Sequence, residues 1–258
     1  MPEFTVLGSG SSGNAVAIKS GNEVILVDAG FSAVELERRL AKANINLEQL
    51  CGILITHEHN DHSQAVKTFS KRYNLPVYSN HLTAERLKYM KKLPDKMSLF
   101  SNGSKFNIGT FQIEAFSISH DAADPVGFIV NVESKKIGLA TDLGHAGKMV
   151  PLKLSCSDLL MIESNHDPMM VRKSARPLRI QQRILGRRGH LCNEKAAELM
   201  ADAIGFQTSH VVLVHLSSDC NELKIVEETF QKKLKEIGRE DITIEISVQD
   251  HVSQTITL

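Results

Sequence analysis

Short apolar runs alternate with polar and amphipathic stretches along this chain, and the two patterns predict strands and helices in alternation. Strands are predicted at residues 4–7, 15–19, 24–27, 53–55, 77–79, 111–118, 128–132, 137–140, 159–162 and 211–214, with a last strand pair inside 242–258. Helices are predicted at 32–43, shortly after 63, and at 84–91, 193–204 and 222–237. No linker-like change of composition divides the sequence, which favours one domain over residues 1–258.

Two local patterns mark the boundaries of elements. Ser32, followed three residues later by Glu35, matches the capping box that opens a helix. The run from Gly8 to Gly13 contains three glycines and three serines, which predicts a tight loop between the first two strands.

The composition argues against several classes of protein. Basic and acidic residues number 30 each, so the overall charge of zero points to no particular partner. There is no apolar stretch of about 18 residues, so we expect no membrane span, and the N-terminus lacks the pattern of a secretory signal. The 4 cysteines form no C-x-x-C pair, which fits reduced thiols in a bacterial-type cytoplasm.

The densest chemistry lies in the run T-H-E-H-N-D-H at residues 56–62, directly after an apolar stretch. Three imidazoles and the Asp61 carboxylate within six positions suit Zn²⁺, Mn²⁺ or Fe²⁺, and such mixed ligands do not select one of the three. The run therefore predicts a metal site at the end of a buried strand.

Five predicted strands lead into a residue that can bind a metal or move a proton. These residues are His57, His120, Asp142, Glu163 and His215. Side chains at strand ends in α/β proteins tend to converge on one crevice at the edge of the sheet. We therefore expect these five residues to share one site.

The ligand pattern resembles that of the metallo-β-lactamase superfamily over nearly the whole chain. The matching positions are His57, His59, Asp61, His62, His120, Asp142 and His215. The resemblance implies an α/β fold, the four-layer αββα sandwich, with two divalent metal ions at one edge. It implies that His57, His59 and His120 hold one ion and that Asp61, His62 and His215 hold the other. Asp142 would bridge the ions, because two cations about 3.5–4 Å apart need a shared anion.

Other branches of the superfamily fit this sequence less well. His62 completes a nitrogen-rich second site, whereas zinc lactamases use a cysteine there or later. Neither the helical substrate domain of glyoxalase-type thioesterases nor the flavin module of the redox members is recognisable in the sequence. These differences favour a phosphodiesterase.

A basic segment supports a phosphodiester substrate. Between Val171 and His190 lie seven basic residues and no acidic one: Arg172, Lys173, Arg176, Arg179, Arg183, Arg187 and Arg188. Such a segment is typical of a groove for a phosphate backbone, although a solvated helix face is the alternative. The sequence that begins at His190 resembles an element of the tRNase Z group, in which the histidine lies near the scissile phosphate.

Three further elements resemble the YycJ/WalJ-type nucleases of the superfamily. They lie at residues 7–14, 163–167 and 183–190. The resemblance implies a cytoplasmic, metal-dependent 5′-to-3′ exonuclease whose partner is nucleic acid, DNA rather than RNA. It gives no indication of protein partners.

The expected reaction is in-line attack on phosphorus by a hydroxide that bridges the two metals. Asp61 would take the proton of the water. His190, oriented by Glu163, would protonate the leaving oxygen or bind the phosphate. Substrate contacts are predicted at Asn14, His166, Arg183, Arg187 and Arg188.

Two other functional classes stay open. One is a different hydrolase on the same site, either a phosphodiesterase of small cyclic or nucleotide phosphodiesters or an RNA-processing nuclease of the tRNase Z type. The other is a binding or regulatory protein with a residual metal site. The presence of all seven ligand residues argues against the second class.

Overall fold

Two units, each with its own strands and helices, make up the 258 residues of the chain, all of which the computed structural model describes. Unit 1 comprises Met1–Ser117, Ala122–Lys135 and Val248–Leu258. Unit 2 comprises Ile118–Asp121 and Lys136–Ser247. That the chain forms one domain stays a prediction.

Unit 1 contains a mixed sheet, an antiparallel set of strands and four helices. Its strands are β1 (Glu3–Gly8), β2 (Ala15–Ser20), β3 (Glu23–Val27), β4 (Leu50–Leu54), β5 (Val77–Asn80), β6 (Met97–Phe100), β7 (Lys105–Ile108), β8 (Phe111–Ser117), β9 (Val126–Val132) and β14 (Ile256–Thr257). Its helices are α1 (Ala33–Lys42), α2 (Asn60–Ser63), α3 (Val66–Tyr73) and α4 (His81–Tyr89). The mixed sheet has the order β14-β1-β2-β3-β4-β5-β6, and its strands from β3 to β6 run parallel. Strands β7, β8 and β9 pair antiparallel.

The core of unit 1 forms between the mixed sheet and the helices that follow its strands. Leu26 of β3 and Ile53 of β4 are fully buried in one cluster with Leu36 and Leu40 of α1. Burying each such side chain contributes about 1.5–3 kcal/mol. The side chain of Ser32 caps α1 by accepting from the Glu35 N–H, so the predicted start of this helix is confirmed.

Unit 2 contains four parallel strands and five helices. The strands are β10 (Lys135–Ala140, from its second residue onward), β11 (Leu159–Glu163), β12 (His210–Val214) and β13 (Thr243–Ile246). The helices are α5 (Met149–Leu154), α6 (Pro168–Lys173), α7 (Leu178–Leu185), α8 (Asn193–Ala203) and α9 (Leu223–Glu236). Every residue of β11 is buried, as expected of a central strand in a parallel sheet.

The register of the parallel strands brings their carboxyl ends level with one another. Ala140 of β10 pairs with Ile162 of β11, which pairs with Leu213 of β12. The residues that follow these strands therefore meet at one edge of unit 2, as the strand-end pattern predicts.

The structure also corrects the sequence-based elements. Both strands predicted inside 242–258 are present, but they do not pair with each other, because β13 pairs with β12 and β14 pairs with β1. The predicted helix at 84–91 begins earlier, at His81, because Asn80 caps it by accepting from the Thr83 N–H. Strands β6 and β7 and helices α2 and α5 to α7 were not predicted. None of the helices combines the length and the apolar character that crossing a bilayer requires.

Replacing Glu35 by glutamine is expected to lower the free energy of unfolding by about 1 kcal/mol at pH 7, after allowance for solvent screening. Hydrogen bonds from Arg38 at 2.8 Å and Arg39 at 2.6 Å lower the pKa of Glu35 from 4.5 to about 2. Because the pKa is lower in the folded state, this stabilisation is present above pH 4.5 and is lost as the pH falls toward 2.

Urea unfolding of both proteins between neutral and acid pH tests this expectation. The difference in unfolding free energy should shrink toward low pH. A difference that stays constant over the whole range would contradict it. The control is Glu228→Gln on α9, since Glu228 is exposed and lies 3.8 Å from Lys224.

Candidate metal centre

In unit 1, the predicted ligands follow the end of β4 and enter α2. His57 and His62 are fully buried, and their ring centroids lie 4.2 Å apart. The ring of His59 lies 4.6 Å from that of His57. The three imidazoles and the Asp61 carboxylate thus come from one turn of chain that a buried strand positions.

Asp28 is a residue beside the predicted ligands that sequence reasoning missed. It follows β3, is buried, and accepts a 2.7 Å hydrogen bond from His62 Nδ1. The Thr56 N–H and hydroxyl also donate to this carboxylate, at 2.9 and 2.8 Å. Burial raises the pKa of Asp28, and the neighbouring His62 opposes that rise. The strand-end pattern was present in the sequence here too, because the apolar run that ends at Val27 leads directly into the Asp28 carboxylate.

Asn14 lies against the ligand loop in unit 1. Its side chain is 6% exposed, and Nδ2 lies 3.2 Å from Asp61 Oδ2 and 3.1 Å from His62 Nε2. The structure therefore places Asn14 beside two predicted ligands, and its predicted contact with substrate stays a prediction.

In unit 2, four side chains gather at the carboxyl edge of the parallel strands. They are Asp142, Glu163, His190 and His215, each of which offers one ligand atom within 4.8 Å of the others. His120 belongs to the same neighbourhood, since its Nε2 lies 3.7 Å from Asp142 Oδ1. That carboxylate oxygen also lies 3.5 Å from His215 Nδ1, a central position that suits a shared ligand.

Glu163 holds the residues of this cluster in place through hydrogen bonds. It is fully buried and accepts from the N–H groups of Asp142 at 2.9 Å and Leu191 at 2.7 Å. It also accepts from Nδ1 of His190 and of His215, each at 3.1 Å. Burial alone would raise the pKa of Glu163, but the His190 charge and these hydrogen bonds hold it below its usual value. Burial likewise opposes protonation of His190, and the Glu163 charge outweighs it, so the pKa of His190 is raised.

Two predicted ligands, Asp142 and His215, and the His62 partner Asp28 have left-handed backbone conformations. The φ angles of Asp28, Asp142 and His215 are 64°, 54° and 56°. Non-glycine residues with positive φ carry a strain of about 1–3 kcal/mol and cluster at functional sites, with Asp and His among the more tolerant types. Asp28 and His215 directly follow β3 and β12, and Asp142 is the second residue after β10, where the chain turns sharply to present the side chain.

The end of the basic segment contacts the His120 loop within unit 2. His120 Nδ1 donates to the Gly189 carbonyl at 3.0 Å, and Arg188 Nε donates to the His120 carbonyl at 3.2 Å. Arg183 forms an ion pair with Asp121, the neighbour of His120. Two of the three predicted substrate arginines thus also hold the segment in place, while the side chain of Arg187 is exposed.

Gly144 allows the same segment to approach the Asp142 loop. A Cβ at this position would lie 2.5 Å from the Gly189 nitrogen and 2.7 Å from the Arg187 carbonyl oxygen. A side chain would therefore push the segment away. In unit 2, the basic segment reaches the loops that carry His120 and Asp142.

His166, a predicted substrate residue, lies inside unit 2. It is 1% exposed, and its Nδ1 has no hydrogen-bond partner. Burial lowers the pKa of His166 to about 4, which makes the ring neutral at physiological pH. Its contact with substrate stays a prediction. His81, by contrast, is an exposed histidine that lies 3.2 Å from Glu85, as expected of a surface residue.

The donor set fits divalent metal ions. In His62, His120 and His215, Nδ1 is held by a carboxylate or carbonyl acceptor of the protein. This tautomer carries its lone pair on Nε2, and an acceptor behind the ring is the usual support of a metal-binding histidine. Nitrogen and carboxylate donors together suit zinc, manganese or iron.

Comparison with known proteins identifies the family. The model of the Beta-lactamase superfamily domain matches residues 23–216. Exodeoxyribonuclease YycJ of Bacillus anthracis is 36% identical over 91% of this chain and 90% of that protein. Exodeoxyribonuclease WalJ of Streptococcus pneumoniae is 33% identical over 99% of this chain and 96% of that protein.

A solved structure shows the same fold. The metallo-β-lactamase fold protein YhfI from Bacillus subtilis superposes with a TM-score of 0.72, at 17% identity, over 98% of this chain and 100% of that one. The predicted fold class, the α/β αββα sandwich, is confirmed. The chain therefore belongs to the beta-lactamase superfamily, within its YycJ/WalJ-type group, and is a metal-dependent hydrolase.

Proposed function

We propose that this hydrolase is a cytoplasmic nuclease that removes nucleotides from DNA in the 5′-to-3′ direction. The observation that carries the proposal is the attachment of the basic segment to the His120 loop, beside the cluster of Asp142, Glu163 and His215. Positive charge next to a metal-binding cluster suits a polyanionic substrate. The exodeoxyribonuclease names of the YycJ and WalJ relatives support the same choice.

We assign two metal ions to the ligands that the family resemblance implies. His57, His59 and His120 hold one ion in this assignment. Asp61, His62 and His215 hold the other, and Asp142 is shared. When bound, the two ions would activate water for attack and stabilise negative charge on the phosphoryl oxygens.

The proton transfers fall to two residues of the chain. His190 keeps its proton to a higher pH than an ordinary histidine because Glu163 lies 3.1 Å from its Nδ1, which suits a donor to the leaving oxygen. Asp61 receives the proton of the attacking water. The Asn14 amide donates to the Asp61 carboxylate at 3.2 Å.

The direct test uses one DNA duplex labelled at either the 5′ or the 3′ end, incubated with Mn²⁺ or Zn²⁺ and with a chelator control. A 5′-to-3′ exonuclease releases labelled mononucleotide at once from the 5′-labelled strand and gives a ladder of shortening products from the 3′-labelled strand. Single-stranded DNA, RNA and bis(p-nitrophenyl) phosphate complete the panel.

Three results would contradict the proposal. Cleavage of RNA with no cleavage of DNA would favour RNA processing. Hydrolysis of bis(p-nitrophenyl) phosphate and cyclic nucleotides, with no polymer degraded, would favour the small-substrate phosphodiesterase. A ladder of products from the 5′-labelled strand, with immediate release of the label from the 3′-labelled strand, would show that digestion runs 3′-to-5′.

Replacing Arg187 by glutamine is expected to raise the KM for DNA several-fold and to reduce the slope of log affinity against log salt by about one. Arg187 is exposed at the end of the basic segment, so the loss of its charge weakens contact with the phosphate backbone while the fold is kept. The measurement is the steady-state rate of DNA cleavage as a function of DNA concentration, which gives the KM at each of a series of salt concentrations.

The matched control is Lys224→Gln, which removes one exposed positive charge on α9, outside the basic segment. It should leave the salt dependence unchanged. Equal effects of Arg187→Gln and Lys224→Gln on the salt dependence would contradict binding of the phosphate backbone by the basic segment. Turnover of bis(p-nitrophenyl) phosphate, which has no polymer backbone, should be the same in both variants.

A further inference from the structure

The glycine-rich loop at residues 8–14 is packed against the metal-ligand loop of unit 1. We propose that Asn14 is a positioning residue that fixes the orientation of the Asp61 carboxylate, and that Gln249 near the C-terminus fixes the loop that carries Asn14. The proposal rests on the assignment of Asp61 as a metal ligand under the proposed function.

The orientation of the Asn14 amide is determined by its neighbours. Its Oδ1 accepts from the Ser9 hydroxyl at 2.7 Å and from the Gly10 N–H at 3.0 Å. The Gly10 N–H can only donate, so it requires the amide oxygen on its side, and Nδ2 donates to the Gly10 carbonyl at 3.0 Å. Nδ2 then donates to Asp61 Oδ2 at 3.2 Å. A flipped amide would lose two hydrogen bonds and turn its oxygen toward a carboxylate.

The backbone of Asn14 is bound to Asp61 as well. The Asn14 N–H donates to the Asp61 carbonyl at 2.7 Å, and the Asn14 carbonyl accepts from the Gly30 N–H at 2.9 Å. A Cβ at Gly30 would lie 1.6 Å from the Asp61 carbonyl oxygen, so only glycine permits this packing. The position of Asp61 therefore depends directly on that of the loop.

Gln249 holds the loop from its other side. Its Oε1 accepts from the Ser12 N–H at 2.8 Å, and its Nε2 donates to the Gly13 carbonyl at 2.9 Å. The Gln249 carbonyl accepts at 2.9 Å from buried Arg39, which also donates to the Leu7 carbonyl at 2.6 Å. The C-terminal segment is thus linked to Asp61 by a continuous path of hydrogen bonds through the loop.

These contacts fix the orientation of the carboxylate of Asp61, a proposed metal ligand. With Oδ2 held by the Asn14 amide, the Asp61 carboxylate cannot rotate without breaking that bond. Loss of such an outer partner typically weakens metal binding about 10–100-fold. The same loss should lower kcat more than it changes the KM for DNA if Asn14 acts through Asp61, whereas loss of the predicted substrate contact would raise the KM.

The experiment titrates metal-free protein with Co²⁺ and follows visible absorption, which reports the geometry around each bound ion. The wild type should take up two ions, and Asp61→Ala should weaken one of the two steps. Asn14→Ala should weaken that same step about 10–100-fold and change its spectrum. Gln249→Ala should weaken it by a smaller factor, because the loop keeps its contacts with Asp61.

The matched control is Asn80→Ala. Asn80 is a buried asparagine of unit 1 whose amide caps α4 and donates to the Asp124 carbonyl at 2.6 Å. Its loss should lower stability and leave both Co²⁺ affinities unchanged. Wild-type Co²⁺ binding in Asn14→Ala, or the same change in Asn80→Ala, would overturn the proposal. If Asn14→Ala does not fold, Asn14→Ser takes its place under the same criteria.

The titration separates this proposal from the proposed function. A protein that binds two Co²⁺ ions with the expected dependence on Asn14, and that cleaves no DNA, would contradict the nuclease assignment alone. Two unchanged binding steps in Asp61→Ala would overturn the positioning role, even if DNA is cleaved.

Discussion

Asp142→Asn is expected to lower the rate of hydrolysis at least about a thousandfold while the protein keeps its fold. The Asp142 carboxylate lies within 3.7 Å of nitrogens of His120, His190 and His215, so its negative charge is shared among three imidazoles of the unit 2 cluster. Asparagine has the same shape and tolerates the positive φ of 54° at this position. The substitution therefore removes the charge and leaves the backbone turn in place.

The measurements are turnover of bis(p-nitrophenyl) phosphate and of DNA, with elemental analysis of the bound metal. The metal content of Asp142→Asn should fall together with its activity. Asp158→Asn is the control, since Asp158 is another buried carboxylate of unit 2, whose Oδ2 accepts from the Lys136 N–H at 2.9 Å. Hydrolysis by Asp142→Asn within a few-fold of the wild type would refute the shared-ligand assignment.

The gathering of side chains in unit 2 was predictable because it depends on two local properties of the sequence. Apolar runs reveal the strands, and the residue after each run reveals what the strand end presents. Parallel pairing then brings Asp142, Glu163 and His215 to one edge, whatever the details of the connecting helices. The strand-end rule applied to Val27 would have found Asp28 as well.

The environment of the basic segment was not predictable in the same way. Its charge is visible in the sequence, but the contacts of Arg183 with Asp121 and of His120 with Gly189 join residues far apart along the chain. Helices α6 and α7 were missed for a related reason. No residue of α7 is buried, so its pattern reflects its contacts with solvent more than packing in a core.

The pairing of the last strands shows the limit of local patterns most clearly. Strands β13 and β14 follow each other in the sequence, and consecutive strands often pair with each other. Instead β13 extends the parallel strands of unit 2, and β14 pairs with β1 in unit 1. The partner of each of these strands is therefore decided by strands from other parts of the chain, which the local pattern does not reveal.

Glu163→Ala is expected to lower the free energy of unfolding by about 3–5 kcal/mol and to reduce turnover at least about a hundredfold. The fully buried carboxylate accepts hydrogen bonds from two backbone N–H groups and two imidazoles. Alanine would leave all four donors without their acceptor at a fully buried position. Thermal and urea unfolding measure the first effect, and steady-state kinetics the second.

Glu163→Gln separates the packing role from the role in proton transfer. The glutamine keeps the size of the side chain and one acceptor oxygen, which can serve either Leu191 or the group formed by Asp142, His190 and His215. If it serves the group of three, most of the stability returns. Turnover should still be low, because a neutral amide does not raise the pKa of His190 as the carboxylate does.

A double-mutant cycle then tests whether Glu163 acts through His190. If it does, Glu163→Gln should lower turnover strongly in the wild type and only slightly in a His190→Ala background, because the proton donor is already absent. Equal fold losses in the two backgrounds would show that Glu163 acts by holding Asp142 and His215. In that case His190 would not be the group that protonates the leaving oxygen with the help of Glu163.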